Sequence, residues 1–282
     1  MTGPCSQVVA LDFDGVLCDS APETGLTAWR AGRQVWPDWR TPRPPAPVLE
    51  RFIALRPLLE TGYQSVPLMR LAWEGVGAAD LAGGFEGRVD AVIAAAGMTR
   101  GAMVELFGAT RDAWIAEDLP GWLAAHRFYP GVVEALRRAE GTSAVRILST
   151  KQERFIRQLL AGAEVRIPQA CIYGLEAGKS KRAILRDVLR EAGGGGGACF
   201  VEDRLDTLLP LADDPALADV RLCLAAWGYN TAAERQRARD GGRIALLELA
   251  DFAGIFDGIG GPQAGTGGAG PRAGRQRPRP QT

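Results

Sequence analysis

Two aspartates stand at the end of a short apolar segment near the amino terminus. Residues 8–13 are rich in apolar and β-branched side chains and predict a buried strand, at whose end lie Asp12 and Asp14. Because side chains alternate along a strand, both carboxylates project to the same side, and Gly15 allows the chain to turn away. Open α/β sheets bind ligands at the carboxyl ends of their strands. The aspartate pair therefore marks a candidate site.

The close spacing of Asp12 and Asp14 requires a nearby positive charge. Two ionised carboxylates about 4 Å apart repel each other by about 4 kcal/mol at an effective dielectric near 20. A divalent hard cation such as Mg²⁺ would offset this repulsion, because it binds one or two carboxylates together with substrate phosphate oxygens. The alternative is an ordinary Asp-Gly turn in which Asp14 only supports the backbone.

A second pair of acids follows a second predicted strand. Residues 198–201 are apolar and end in Glu202 and Asp203, so this pair is expected at the same edge of the sheet as the first. Helix N-capping by Asp203 and Asp206 is the alternative. The two acidic pairs together favour a metal-binding site over two unrelated turns.

Hydroxyl groups and lysines complete the set of residues that suit phosphate chemistry. The predicted strand 144–148 ends in Ser149 and Thr150, which can donate to a phosphoryl oxygen or cap a helix. Lys179 and Lys181 open a predicted helix, where a lysine can neutralise the charge of a phosphoryl group. These lysines do not belong to a P-loop, because position 173 is Tyr where that motif requires glycine.

The composition argues against several other classes of protein. The 282 residues have a net charge of zero, which gives no indication of a nucleic-acid or membrane partner. The chain shows no apolar run of about 18 residues and no leader before the first strand, so a cytoplasmic protein is expected. One histidine, His126, and five cysteines without a Cys-x-x-Cys pair argue against zinc and against a histidine-activated nucleophile.

The order of predicted elements indicates how these residues are positioned. From residue 130 onward, strands and helices alternate, which predicts an α/β fold: a doubly wound, parallel, Rossmann-like sheet with helices on both faces. Residues 21–125 show only helical patterns; five of the seven tryptophans lie within this segment and a sixth, Trp122, lies at its edge, either packed between helices or covering a ligand. The predicted domains are a core of residues 1–20 and 126–257, a helical cap of residues 21–125, and a disordered tail of residues 258–282.

The sequence Asp-x-Asp-Gly-Val-Leu-Cys-Asp-Ser at residues 12–20 resembles the first motif of the haloacid dehalogenase-like hydrolases, in their phosphoglycolate-phosphatase-like branch. The hydroxyl, lysine and acidic-pair segments follow in that family's order, and the family carries a cap at the same place. The resemblance implies a Mg²⁺-dependent phosphatase that acts on a small phosphorylated metabolite through an aspartyl phosphate.

The resemblance also assigns roles to individual residues. The catalytic residues that it implies are Asp12 as nucleophile, Asp14 as general acid/base, Ser149 and Lys181, with Lys179 as the alternative lysine. The Mg²⁺ ligands that it implies are Asp12, Asp14 through its backbone carbonyl, Glu202 and Asp203. Asp206 follows Asp203 by three residues instead of the family's four or five, so whether Glu202 or Asp206 joins Asp203 stays open. Candidate substrate-binding residues are Arg56, Thr61, Gly62, Tyr63, Thr150 and Lys179.

Two other functions compete with the phosphatase. The family's dehalogenases share the cap and the first aspartate but lack the second, so Asp14 and the Glu202–Asp203 pair disfavour carbon–halogen cleavage. A non-catalytic protein that keeps the fold and uses the tryptophan-rich insertion to bind a partner is the third hypothesis, and the intact motifs argue against it.

Overall fold

The computed structural model describes residues 8–81, 83–140, 144–192 and 197–257; the predicted tail, residues 258–282, lies outside the described residues. The strands of the described residues are β1 (Val8–Leu11), β2 (Cys18–Asp19), β3 (Arg127–Phe128), β4 (Val145–Leu148), β5 (Ile172–Tyr173), β6 (Ala198–Glu202), β7 (Arg221–Ala225) and β8 (Ile244–Leu247). Six of them form one parallel sheet in the order β5-β4-β1-β6-β7-β8, while β2 and β3 form a separate antiparallel pair.

The helices fall into a cap group and a core group. Those of the cap are α1 (Ala21–Gly32), α2 (Ala46–Ala54), α3 (Ser65–Trp73), α4 (Ala78–Leu81), α5 (Phe85–Ala95), α6 (Arg100–Glu117) and α7 (Leu119–Ala124). Those of the core are α8 (Val132–Arg138), α9 (Glu153–Gly162), α10 (Lys181–Glu191), α11 (Leu205–Ala212) and α12 (Ala232–Gly241). Short 3₁₀ turns connect them, among them Arg56–Leu58 and Gly62–Gln64 in the cap.

The strand order reverses at β1. The chain runs from β1 outward through β4 and β5, and then returns to the other side of β1 and runs through β6, β7 and β8. Leu11 at the end of β1 therefore pairs with Ile147 on one side and with Val201 on the other. A crevice forms at the carboxyl ends of the strands where such a reversal occurs, and the residues that follow β1, β4 and β6 meet there.

Apolar side chains cover both faces of the sheet. On β1, Val9 and Leu11 belong to one buried cluster, with residues of α8 and α9, and Val8 and Ala10 belong to another, with residues of α10 and α11. The alternation follows from the pleat of the strand. The predicted doubly wound α/β core with an inserted helical cap is confirmed.

The cap has an apolar core of its own. No strand occurs among the described residues between β2 and β3, and the cap helices enclose a separate buried cluster. Trp29 and Trp39 stack at its centre, with ring centroids 4.2 Å apart and planes 7° from parallel. Trp36 and Trp73 lie against the same pair. These four tryptophans therefore pack against one another inside the cap, as the packing alternative predicts.

The longest helix of the cap, α6, lies beside α5. No single helix of the described residues is long and apolar enough to cross a bilayer, and only α5 and α6 taken together, across an 83° bend, pass that test of length and composition. Both helices contribute buried side chains to the cap cluster, for example Val89 from α5 and Phe107 from α6. Their apolar residues thus take part in the packing of the cap.

A buried glutamate joins the two ends of the cap. Glu23, in the first turn of α1, is fully buried, and its two oxygens accept from Nε and a terminal nitrogen of Arg111 on α6, both at 2.8 Å. Trp122 Nε1 on α7 donates to the same carboxylate at 3.1 Å. Although burial favours the neutral acid, Arg111 and then His126 lower the pKa of Glu23 to about 2. The ion pair with Arg111 therefore joins α1 to α6, and the hydrogen bond from Trp122 joins α1 to α7.

Candidate active site

The carboxyl edge of the sheet opens into a cavity between core and cap. Its volume is about 540 Å³, within the range of small-molecule sites. Asp12 follows β1, Ser149 follows β4 and Asp203 follows β6, so the strand order brings them together. The lining residues are Asp12, Asp14, Arg56, Leu59, Glu60, Ser149, Thr150, Ser180, Lys181, Arg182, Asp203, Arg204, Asp206, Thr207, Pro210, Leu211 and Tyr229.

Lys181, the first residue of α10, lies between two buried carboxylates. Its Nζ is 3.0 Å from Oδ1 of Asp12 and 2.6 Å from Oε2 of Glu202. Burial disfavours the charged lysine, but Asp12 and Glu202 outweigh that effect and raise its pKa above the usual value. For Asp12 itself, burial and then the neighbouring Glu202 raise the pKa to about 7, and Lys181 only partly opposes them.

Three carboxylates of this cavity form one acidic cluster. One oxygen from each of Asp12, Glu202 and Asp203 lies within 4.8 Å of the others, and all three residues are buried. Burial is the first cause that raises the pKa of Glu202 to about 7 and that of Asp203 to about 6. Lys181 contacts Asp12 and Glu202 and balances part of the charge of the three acids. A divalent hard cation fits the remaining charge and the all-oxygen donor set.

The three acids are held in different ways. Both oxygens of Glu202 are engaged, Oε2 by Lys181 and Oε1 by the backbone N–H groups of Asp203 and Arg204, at 3.2 and 3.1 Å. Oδ2 of Asp203 accepts from the backbone N–H of Tyr229 at 2.8 Å. Glu202 therefore orients Lys181, and Asp12 and Asp203 are the carboxylates that are better disposed to meet a cation.

Asp14 is paired with a lysine of its own. Nζ of Lys151, a buried residue, lies 3.1 and 3.3 Å from the two carboxylate oxygens of Asp14. Burial alone would raise the pKa of Asp14, but Lys151 and then Arg56 lower it below the ordinary value. The pKa of Asp12 is therefore raised and that of Asp14 lowered, because the two carboxyls have different charged neighbours.

A sequence profile described as "Hydrolase: haloacid dehalogenase-like hydrolase" matches residues 7–213. The chain belongs to the haloacid dehalogenase-like hydrolase family. The resemblance carried by the Asp-x-Asp motif is therefore confirmed, and the protein is a hydrolase of this family. No curated protein matches the chain significantly.

Solved structures share the fold of this haloacid dehalogenase-like hydrolase. A predicted phosphoglycolate phosphatase from Haemophilus somnus 129PT has a TM-score of 0.56 and 17% identity, with 90% of this chain and 99% of that chain covered. A predicted phosphatase from Clostridium acetobutylicum has a TM-score of 0.52 and 12% identity, with coverages of 88% and 97%. A hydrolase of the family from Deinococcus radiodurans R1, solved with bound phosphate and sodium, has a TM-score of 0.51 and 14% identity, with 91% of this chain and 97% of that chain covered. At these identities the likeness concerns the fold.

The hydroxyl and lysine residues predicted from the sequence occupy different places in this haloacid dehalogenase-like hydrolase. Ser149 is buried in the cavity wall, where its Oγ accepts from the backbone N–H of Lys151 at 3.2 Å, and Thr150 lies exposed at the same wall. Lys179 is exposed outside the cavity lining and pairs with Asp187 at 2.8 Å. The structure therefore brings Ser149, Thr150 and Lys181 to the acids, and Lys179 points to another partner.

The candidate substrate-binding residues of the cap divide in the same way. Arg56 lines the cavity, with its guanidinium carbon 4.2 Å from the ring centroid of Tyr229. Thr61 instead caps the short helix Gly62–Gln64, and Gly62 lies against Phe107. Tyr63 packs on the apolar cluster of the cap. These last three residues do not line the cavity. Their role in substrate binding stays a prediction, and the structure gives it no support.

Three residues in or beside the cavity were not predicted as site residues from the sequence motifs. Lys151 holds Asp14, Arg204 reaches the carbonyl of Leu59 in the cap, and Tyr229 contacts Asp203. Lys151 directly follows Ser149 and Thr150, so a search for charged residues beside each strand end would have found it. Asp206 lines the cavity but does not belong to the acidic cluster.

Proposed function

We propose that this hydrolase is a Mg²⁺-dependent phosphatase that hydrolyses a small phosphate monoester through an aspartyl phosphate on Asp12. The observation that carries the proposal is the contact of Lys181 with Asp12 inside a buried cluster of three acids. A nucleophile, a neutralising lysine and a place for a cation are the parts that phosphoryl transfer needs together. The match to a predicted phosphoglycolate phosphatase supports the assignment.

Asp12 is the proposed nucleophile. Its carboxylate oxygen forms a bond to phosphorus while the ester oxygen leaves, and Lys181, 3.0 Å from Oδ1, offsets the negative charge that gathers at the reacting group. The hydroxyl of Ser149 donates to a phosphoryl oxygen. The leaving oxygen takes a proton from Asp14.

Asp14 is the proposed general acid and base. The approach of an anionic phosphoryl group favours the protonated form of its carboxyl, which then supplies the proton to the leaving oxygen. In the second half-reaction, the ionised carboxylate takes a proton from water, whose oxygen attacks phosphorus and releases Asp12 and phosphate. Lys151 holds both oxygens of Asp14 in the present arrangement.

The proposed Mg²⁺ site consists of Asp12 and Asp203, with the backbone carbonyl of Asp14 as a further ligand and Glu202 adding charge. The donor set is all oxygen, which suits this cation. When bound, Mg²⁺ would stabilise the charge of the phosphoryl oxygens.

A panel of phosphorylated metabolites tests this function. We expect release of inorganic phosphate from at least one small monoester with Mg²⁺, and loss of that activity with excess chelator. The Asp12→Asn protein, prepared in parallel, measures any contaminating phosphatase. Halide release from 2-haloacids without Mg²⁺, or no turnover of any ester, contradicts the proposal.

A further inference from the structure

Three parts of the molecule meet at one tyrosine, Tyr229, which follows β7 in the core. Its hydroxyl contacts the segment where the chain enters the cap, its backbone N–H contacts Asp203, and its ring contacts Arg56 of the cap. We infer that Tyr229 is a positioning residue: it holds the cap against the core and also fixes the position of Asp203 in the acidic cluster. The inference rests on the proposed function and deepens it.

The hydroxyl of Tyr229 caps the first helix of the cap. Ser20 occupies the N-cap position of α1 but makes no capping bond with its own side chain. The tyrosine oxygen, 208 and 209 residues away, accepts instead from the backbone N–H groups of Ala21 at 3.0 Å and of Ser20 at 2.8 Å. It also donates to Oδ1 of Asp19 at 2.7 Å. Helix-end N–H groups need such acceptors, so a core residue fixes the entry into the cap.

The backbone around Tyr229 fixes Asp203. Its N–H donates to Oδ2 of Asp203 at 2.8 Å, and Nδ2 of Asn230 donates to the carbonyl of Asp203 at 2.9 Å. A Cβ on Gly228 would lie 2.3 Å from Cβ of Asp203, so the loop sits in close contact with this acid. The position of Asp203 therefore depends on where the residues 228–230 lie.

The ring of Tyr229 supports the arginine that the cap places in the cavity. The guanidinium carbon of Arg56 lies 4.2 Å from the ring centroid, a cation–π distance. Nε of Arg56 is buried and makes no hydrogen bond within the described residues, and one terminal nitrogen reaches the carbonyl of Leu59 at only 3.4 Å. The stacking contact is thus a main support of Arg56, and it forms only when the cap is seated on the core.

Two substitutions separate the hydroxyl from the ring. Tyr229→Phe keeps the ring and the backbone N–H but removes the acceptor of Ser20 N–H, and Tyr229→Leu removes the ring as well. Because the Ala21 N–H also has Asp19 at 3.1 Å, the amide of Ser20 is the cleaner reporter. In Tyr229→Phe we expect exchange of the Ser20 amide with solvent to be about tenfold faster or more, as measured by NMR.

Kinetics of the same two proteins test the link to the reaction. We expect Tyr229→Phe to lower kcat about tenfold or more with a smaller change in KM, because the ring still supports Arg56. Tyr229→Leu should in addition raise KM. Tyr173→Phe, at a half-buried tyrosine outside this set of contacts, is the matched control and should retain wild-type values.

Wild-type exchange at Ser20 in Tyr229→Phe, or wild-type kcat in that protein, overturns the inference. Equal effects of the two substitutions on KM would show that the ring of Tyr229 does not support Arg56 in substrate binding. If the wild type hydrolyses no phosphate ester, the proposed function fails, and exchange at Ser20 still decides whether Tyr229 anchors the entry into the cap.

Discussion

Lys181 and Lys179 are two residues apart but differ in their surroundings. Lys181 contacts both Asp12 and Glu202, whereas Lys179 is exposed and pairs with Asp187. We expect Lys181→Ala to lower kcat by about 10²- to 10³-fold, as the loss of one preorganised charge in a site does. Lys179→Ala should stay within about twofold of the wild type, since exposed ion pairs contribute little. Turnover of p-nitrophenyl phosphate measures both, and equal losses would contradict the assignment of Lys181.

The position of Lys181 beside the acids was predictable from its place in the sequence. Lys151 could be found as a charged residue after a strand, but its contact with Asp14 could not be predicted. Lys181 opens a helix after a polar loop, a place where the direction of a side chain follows from the helix. Lys151 lies in the turn between β4 and α9, where neither the strand period nor the helix period fixes where a side chain points. Its contact with Asp14 depends on tertiary structure alone.

The turn after β1 depends on a glycine for two separate reasons. Gly15 has a φ of +88°, and an added Cβ would lie 2.0 Å from Oδ2 of Asp203. A side chain in the left-handed region costs about 1–2 kcal/mol, and the overlap with Asp203 adds to this. Because misplacement of a site residue by about 1 Å can cost about 10²-fold, we expect Gly15→Ala to lose activity of that order along with stability.

Gly75 provides a matched control for this substitution. Its φ is +87°, but nothing lies within 4 Å of an added Cβ. Gly75→Ala should therefore share only the backbone cost, about 1–2 kcal/mol in urea unfolding, and keep its activity. If the two variants lose the same stability and the same activity, the close approach of Asp203 to Gly15 does not matter for activity.

The elements that the sequence predicted best are those with strong apolar patterns. The strands β1, β4 and β6 and the start of helix α10 agree with the predicted segments to within a few residues. The edge strand β8 and the two-residue strands β2 and β3 were not predicted. Two-residue strands carry too few residues to show a period, and they are set by the partner with which they pair.

At the scale of the whole molecule, the joint between cap and core contains the chain's one histidine. His126 is buried, with Nδ1 2.9 Å from the carbonyl of Trp122 and Nε2 3.8 Å from Glu23. Burial and then Lys151 lower its pKa from 6.5 to about 4, although Glu23 opposes them. The unfolded chain therefore binds more protons at this residue between pH 4 and 6.5.

His126 should make the protein less stable as the pH falls through that window. Its contribution is at most about 3 kcal/mol from the difference between the two pKa values, lost as the pH falls from about 6.5 towards 4. The raised pKa values of Asp12, Glu202 and Asp203 act in the opposite direction, so the wild type alone would mix the two effects. We expect the unfolding free energy of His126→Gln, relative to the wild type, to improve as the pH is lowered from 7 to 5. A difference in unfolding free energy between His126→Gln and the wild type that stays the same at every pH would contradict this.

Long-range contacts set the limit of what the sequence could predict about the whole molecule. The order of the motifs predicted that the acids would share one sheet edge, because parallel strands end together. The tyrosine that caps α1 lies 208 residues from Ala21, and Arg111 lies 88 residues from Glu23. No local pattern relates such residues, since their meeting depends on how the cap is seated on the core.

The account depends most on Asp12 as the nucleophile. Acid quenching during turnover, followed by mass spectrometry of the peptides, tests this directly. The wild type should carry a phosphoryl group on Asp12, and Asp12→Asn should carry none and lose turnover.

Asp14→Asn separates the acid/base role from the covalent step. It should lower turnover of an alkyl phosphate by about 10²- to 10⁴-fold but still form the phosphoenzyme when the ester has a good leaving group. A phosphoryl group on another residue, or an Asp12→Asn protein that still hydrolyses the ester at the wild-type rate, would contradict the account.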